Sequence, residues 1–325
     1  MNKRWIITGA NGYLGGELCR GLHDRGDKVL GVARAERSLN SLESLGISCH
    51  TYEDIPAILS KGDIFIHCAG KVGDDGTWDD FSSVNIDWST SLFDQAAELG
   101  VACFIYVSSI AALGYKNRPG NEVLKESSVP ELVDGEQYGR SKLLAEQALQ
   151  NRARNTAVRL IIFRPGLIYG RRRFASQKSW FRRGIAIDSH QRVPLVHIDN
   201  FLDAVAKTTD NSETAGMFTV VDMEQPTLRD LNALKIQHGL LRYHPWRVGK
   251  AGFWLLYLLK SIVQSLRGRS NVVPKGYALT QYYFLTRRLL YSTEKLGRLG
   301  WVQKVKLHDG LKDCAKILKQ EKTEN

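Results

Sequence analysis

Hydrophobic positions in the first half of this chain fall into short, nearly unbroken runs separated by amphipathic stretches. Trp5-Ile6-Ile7-Thr8 is the first run, and a glycine turn carries it into a helix-like segment over 17–22. Further apolar runs over 28–33, 63–70, 101–107 and 158–163 read as strands. Helical patterns over 89–99 and from 138 to about 150 fall between them. Strands apolar at every position are buried on both faces, and their alternation with helices predicts an α/β, doubly wound parallel sheet. The pattern places one domain over 1–170, with the chain returning to it around 190–221, and a smaller C-terminal lobe with helices over 171–325. Residues 319–325 read as a frayed polar tail.

Composition narrows the class. At 325 residues, 43% hydrophobic and 24% charged, the chain has an ordinary globular balance with ample core. Its five cysteines are scattered, with no C-x-x-C and no metal-like spacing, so no metal site is expected and the thiols read as reduced in a cytoplasmic protein. With the first strand opening by about residue 4, no secretory leader is expected. The net charge is +11, and the basic residues read as spread along the chain without a nucleic-acid-binding motif. An anionic substrate, an anionic cofactor or a membrane surface fits it.

Two motifs carry chemistry. Gly9-Ala10-Asn11-Gly12-Tyr13-Leu14-Gly15 follows a strand and opens a helix. Free amides at a helix N-terminus favour a pyrophosphate, and glycine admits it closely. Tyr138 and Lys142 are four residues apart, on one face of a helix. A phenol beside a fixed ammonium shifts toward phenolate at neutral pH and becomes a proton-transfer group.

These segments, together with Asp63-Ile64-Phe65-Ile66-His67-Cys68-Ala69-Gly70, Val84-Asn85-Ile86-Asp87 and Phe104-Ile105-Tyr106-Val107-Ser108-Ser109, follow a familiar order. Tyr138-Gly139-Arg140-Ser141-Lys142, Arg164-Pro165-Gly166-Leu167-Ile168-Tyr169-Gly170 and Val196-His197-Ile198-Asp199-Asn200 complete the series. The chain resembles an extended short-chain dehydrogenase/reductase of the NAD(P)-dependent epimerase/dehydratase family over roughly residues 3–205. The resemblance implies a Rossmann-type sheet with a smaller C-terminal substrate-binding lobe. It implies that Tyr138 is the acid/base, that Lys142 lowers its pKa and holds the nicotinamide ribose, and that Ser109 bonds the substrate oxygen. Ser108, otherwise a strand-end cap, is the alternative hydroxyl.

The implied cofactor contacts are Gly9, Asn11, Gly12, Tyr13, Leu14, Gly15, Cys68, Ala69, Gly70, Asn85, Ser108, Arg164, Pro165 and Gly166, with Tyr138 and Lys142. Asp54 and Ile55 are placed at the adenine edge. NAD enzymes of this fold carry an acid at the end of the second strand. Here Arg34 stands there, with Arg37 one turn on, which favours NADP over NAD because guanidinium suits a 2′-phosphate.

Dehydrating relatives carry Asp-Glu directly after the catalytic hydroxyl. Ile110 and Ala111 replace them here, so carbonyl/carbinol redox or epimerisation remains. Ile110, Arg171 and Arg182 are placed at the substrate, because guanidinium matches the pyrophosphate of a nucleotide-diphosphate sugar. Gly166-Leu167, where many sugar epimerases carry asparagine, points instead to a reductase of a hydrophobic ketone or 3β-hydroxysteroid-like alcohol. A non-catalytic NADP-binding sensor is the reading from another class. The resemblance also implies a homodimer. Residues 252–266 are apolar with basic flanks and too short to span a bilayer, which fits a buried lobe helix, a dimer face or peripheral membrane contact.

Overall fold

The computed structural model describes residues 3–73, 76–170, 185–186, 190–241, 246–247, 249–266 and 275–323. Its centre is a seven-stranded sheet. The strands are β1 (Arg4–Thr8), β2 (Lys28–Ala33), β3 (Ser48–Thr51), β4 (Ile64–His67), β5 (Cys103–Val107), β6 (Arg159–Pro165) and β7 (Gly216–Val220). They lie in the order β7-β6-β5-β4-β1-β2-β3, and every pairing is parallel. The expected doubly wound sheet is therefore present. Its order reverses between β1 and β4, where Thr8 pairs with His67. Ligands of open α/β sheets bind beyond the strand ends at such a switch point.

Alternation along the strands divides the core. Trp5, Ile7, Ile66, Ile105 and Phe163 point to one face, where α1 (Tyr13–Asp24) covers them through Leu18 and Leu22. Ile6, Phe65, Phe104 and Ile162 point to the other, under α2 (Trp88–Glu98) and α3 (Tyr138–Ala153). The first face is completed by α4 (Ile198–Asp210), through Phe201 and Val205. Leu296 and Trp301 from the C-terminal region join the same cluster, and the Trp301 indole donates to the Asn200 carbonyl at 3.0 Å.

Beyond the sheet follow α5 (Leu228–Gln237), α6 (Lys250–Leu266), α7 (Lys275–Thr286) and α8 (Leu307–Thr323). Helix α8 corrects the expected frayed tail, since it remains helical through Thr323. Leu307, Leu311 and Cys314 recur at helical spacing and are buried against Tyr169, Leu195 and Leu231, which holds the segment in place. No helix among the described residues is long and apolar enough to cross a membrane.

Candidate active site

At the switch point the chain leaves β1 through Gly9, whose φ of 70° suits glycine. A Cβ on Gly9 would lie 2.8 Å from the Ala69 backbone N, and one on Gly15 would lie 2.3 Å from the Gly9 carbonyl O. The turn is thus closed against the end of β4, with Gly12 at the N-cap of α1 and no side chain capping the first turn. The turn opens on a cleft of about 610 Å³ lined by Gly9, Asn11, Gly12, Arg34, Cys68, Ala69 and Gly70 among others. Its size and its glycine cradle fit a dinucleotide.

The cleft is braced from beneath by His67. The imidazole is fully buried, with Nδ1 2.7 Å from the Thr8 hydroxyl and Nε2 3.0 Å from that of Ser89. Burial pushes its pKa down to about 3, with the nearby Lys142 charge adding to the effect, so the ring stays neutral. It ties the ends of β1 and β4 to α2. The cleft also draws on Tyr52, Lys71, Asp80, Ser83, Val84 and Trp88, none of which was singled out from the sequence. Val84 lies inside a quoted motif and could have been found. Tyr52 and Trp88, 36 positions apart in the chain, meet edge to face at 4.6 Å, which no local pattern announces.

Helix α3 begins at Tyr138, which is half-buried, and places Lys142 one turn further in. The Glu136 carboxylate accepts from the amides of Gly139 (3.0 Å) and Arg140 (3.3 Å), fixing this first turn. Lys142 is only 3% exposed. Its ammonium donates to the Val107 carbonyl at 2.9 Å and the Tyr106 hydroxyl at 3.2 Å, at the C-terminal end of β5. A Cβ on Gly70 would come within 3.2 Å of it, so the cation sits directly behind the cleft wall. Burial pushes the Lys142 pKa down to about 8, while the carboxylate of Glu146 pulls the other way.

The strand motif ends in two serines with different surroundings. Ser109 is half-buried, and its Oγ accepts from the Ala111 amide at 3.1 Å, leaving its proton free to be donated. Ser108 is buried and donates to Glu146 at 2.5 Å. The backbone of Ala111 also abuts Gly139, where a Cβ would lie 2.4 Å from its carbonyl O. The turn after Ser109 and the start of α3 are therefore in contact.

Several of the residues expected at the cofactor or substrate are engaged within the protein or lie outside the described residues. Arg164 turns into a buried, bidentate pair with Glu146 (2.9 and 2.6 Å), the two side chains being 4% and 1% exposed. This pair also occupies Ser108, because a buried carboxylate takes every donor within reach. Asn85 is fully buried and bonds both the N–H and C=O of Lys71 and the hydroxyl of Ser141, so it positions the loop at Gly70. Pro165 is buried at the end of β6, and the Gly166 amide donates to the Val220 carbonyl. Asp54 takes both donors of Thr51, which hold its carboxyl below the ordinary value, and Ile55 is core. Ile110 is likewise buried among Leu113, Tyr115 and Leu124. Tyr13, Leu14 and Gly15 form the first turn of α1. Arg37 stands on the turn Glu36–Leu39, its side chain outside the described residues, and Arg171 and Arg182 lie wholly outside them.

Taken together, these features describe an α/β fold with a glycine-cradled cleft beside the helix that carries Tyr138 and Lys142. The chain matches the NAD dependent epimerase/dehydratase family over residues 5–218 and belongs to it. It is similar to the UDP-glucose 4-epimerase of Vibrio cholerae, 27% identical over 239 residues, covering 68% of this chain and 71% of that protein. It is also similar to a 2-alkyl-3-oxoalkanoate reductase of Stenotrophomonas maltophilia, 26% identical over 205 residues, covering 60% and 62% of the two. Among solved structures, the UDP-glucuronic acid 4-epimerase of Bacillus cereus in complex with NAD superimposes with a TM-score of 0.74 at 17% identity, over 98% of this chain and 99% of that one. The chain is accordingly a nicotinamide-dinucleotide-dependent enzyme of the epimerase and oxidoreductase class.

The Arg164–Glu146 pair yields a test. Arg164→Met leaves Glu146 buried without its partner and should cost about 3–5 kcal/mol in urea unfolding. Dinucleotide affinity of the folded fraction should stay within about threefold. A stable variant that has lost its dinucleotide would return Arg164 to the cofactor site.

Proposed function

We propose that this enzyme oxidises or reduces one carbinol/carbonyl carbon of a nucleotide-diphosphate sugar, as an oxidoreductase or epimerase. The observation that carries the reading is the Lys142 ammonium at the C-terminal end of β5, directly behind the cleft wall at Gly70, with Tyr138 one turn earlier on α3 and Ser109 in the turn that abuts the start of that helix. In this reading Tyr138 moves the proton to or from the carbinol oxygen. Lys142 holds the phenol toward phenolate and binds the nicotinamide ribose, and Ser109 donates to the same substrate oxygen. The nicotinamide, when bound, supplies or accepts the hydride. The amides at the start of α1 hold the pyrophosphate. The chain beyond residue 170 forms the substrate side.

Simple redox, without loss of water, is supported by the carboxylates around Ser109. Glu136 is engaged by the α3 amides and Glu146 by Arg164, while Ile110 and Ala111 offer neither acid nor base. The sugar nucleotide is supported by the epimerase relative and by the basic run 171–173. A hydrophobic ketone is the second reading. It rests on the aromatic cluster behind the Ser109 turn, where Tyr115 and Phe284 meet at 5.4 Å, and on the reductase relative. Assay of a UDP-sugar and ketone panel separates the two, and turnover of neither would leave a non-catalytic dinucleotide sensor.

With the active substrate, Tyr138→Phe should lower kcat by about 10²–10⁴-fold and leave dinucleotide affinity within about threefold. Retained turnover would remove Tyr138 from the chemistry.

NADP is favoured on the strength of Arg34, which stands exposed in the cleft at the end of β2 where an acid would select NAD. Arg34→Ala should weaken NADPH binding by about ten- to a hundredfold and NADH binding by less than about threefold. Equal effects on both would assign NAD.

A further inference from the structure

The basic residues are spread along the chain, as expected, but the acidic ones are not. Between residues 231 and 293 stand ten lysines and arginines and no aspartate or glutamate, so this stretch carries +10 of the chain's +11. The remaining residues are close to neutral. The same stretch contains α6, a helix of 17 residues.

Helix α6 has two unlike faces. Phe253 and Trp254 pack inward on Tyr282 of α7, with ring centroids 5.6 and 5.3 Å apart. Helix α7 is itself anchored to the body, through Tyr283 and Phe284, on the cluster containing Ile110 and Tyr115. Leu255, Leu256, Leu258, Leu259 and Ile262 are each between 42% and 57% exposed. At 3.6 residues per turn these five fall within about 160° of helix surface, opposite Phe253 and Trp254. An outward apolar face on a helix of this length is an interaction surface.

We propose that this face of α6 docks on the surface of an anionic phospholipid bilayer. The helix would lie in the interfacial plane with its leucines among the acyl chains, and the basic residues that flank it in sequence would meet the headgroups. The combination of features selects this partner. Nucleic acid would answer the charge but not the apolar face. A second copy of the same surface would bring two +10 stretches together. An anionic bilayer answers both at once. Packed side chains of α7 connect α6 to the turn after Ser109.

Vesicle flotation of the full-length protein tests this. Vesicles with about 30% phosphatidylserine should carry the protein upward, and pure phosphatidylcholine vesicles should carry about tenfold less. Leu255→Ser/Leu259→Ser should reduce flotation on the anionic vesicles by at least about tenfold, with turnover unchanged. Three results would overturn the proposal. One is no flotation of the wild type on anionic vesicles. Another is equal flotation of the double variant. The third is a wild-type oligomer, seen by analytical ultracentrifugation and dispersed by the double variant, in a protein that ignores vesicles. The comparison of anionic with neutral vesicles needs no variant, so it stands even if the double variant fails to fold.

Discussion

The site is organised around one buried cation. Lys142 carries an ammonium with almost no access to solvent, and a charge in that position must be answered by oriented oxygen atoms. The Val107 carbonyl and the Tyr106 hydroxyl answer it from the end of β5, and the Tyr106 ring lies 4.7 Å beneath it. That requirement fixes α3 against the sheet. It also sets the position of Tyr138, one turn earlier on the same helix. The wall on the far side must be backbone alone, because a side chain at Gly70 would press on the ammonium.

A second buried ionic group supports the first. Glu146, one turn beyond Lys142, is neutralised by the fork of Arg164 and by the hydroxyl of Ser108. The carboxylate raises the Lys142 pKa while burial lowers it, and burial has the larger effect. Replacing either member of such a pair alone is more damaging than replacing both, since the survivor stays buried. Thus strand β5, helix α3 and strand β6 are held together by polar groups at the place where the sheet must be rigid for chemistry.

The fold was largely legible because each strand of the sheet's centre is an apolar run and each glycine of the first turn has a local reason to be there. The tyrosine–lysine pair was legible for the same reason, being a spacing within one helix. Arg164, Ser108 and Asn85 are expected at the cofactor because they sit in motifs, and their side chains also have partners within the protein that no motif names. Those partners are 18, 38 and 56 positions away, and only packing brings them together. The end of the chain was misread for a related reason. Polar residues dominate 319–323, yet buried Leu311 and Cys314 upstream hold the helix that continues into them. The uneven distribution of charge was present in the sequence from the outset and became meaningful once α6 was seen to turn leucines outward.

The central claim is that Lys142 is a desolvated cation whose proton affinity the fold has lowered. Titration of its ε-carbon by NMR, in protein labelled with 13C-lysine and assigned with Lys142→Arg, measures this directly. Burial disfavours the charged form, so the midpoint should fall from 10.5 to about 8. A midpoint at the ordinary lysine value would contradict the account.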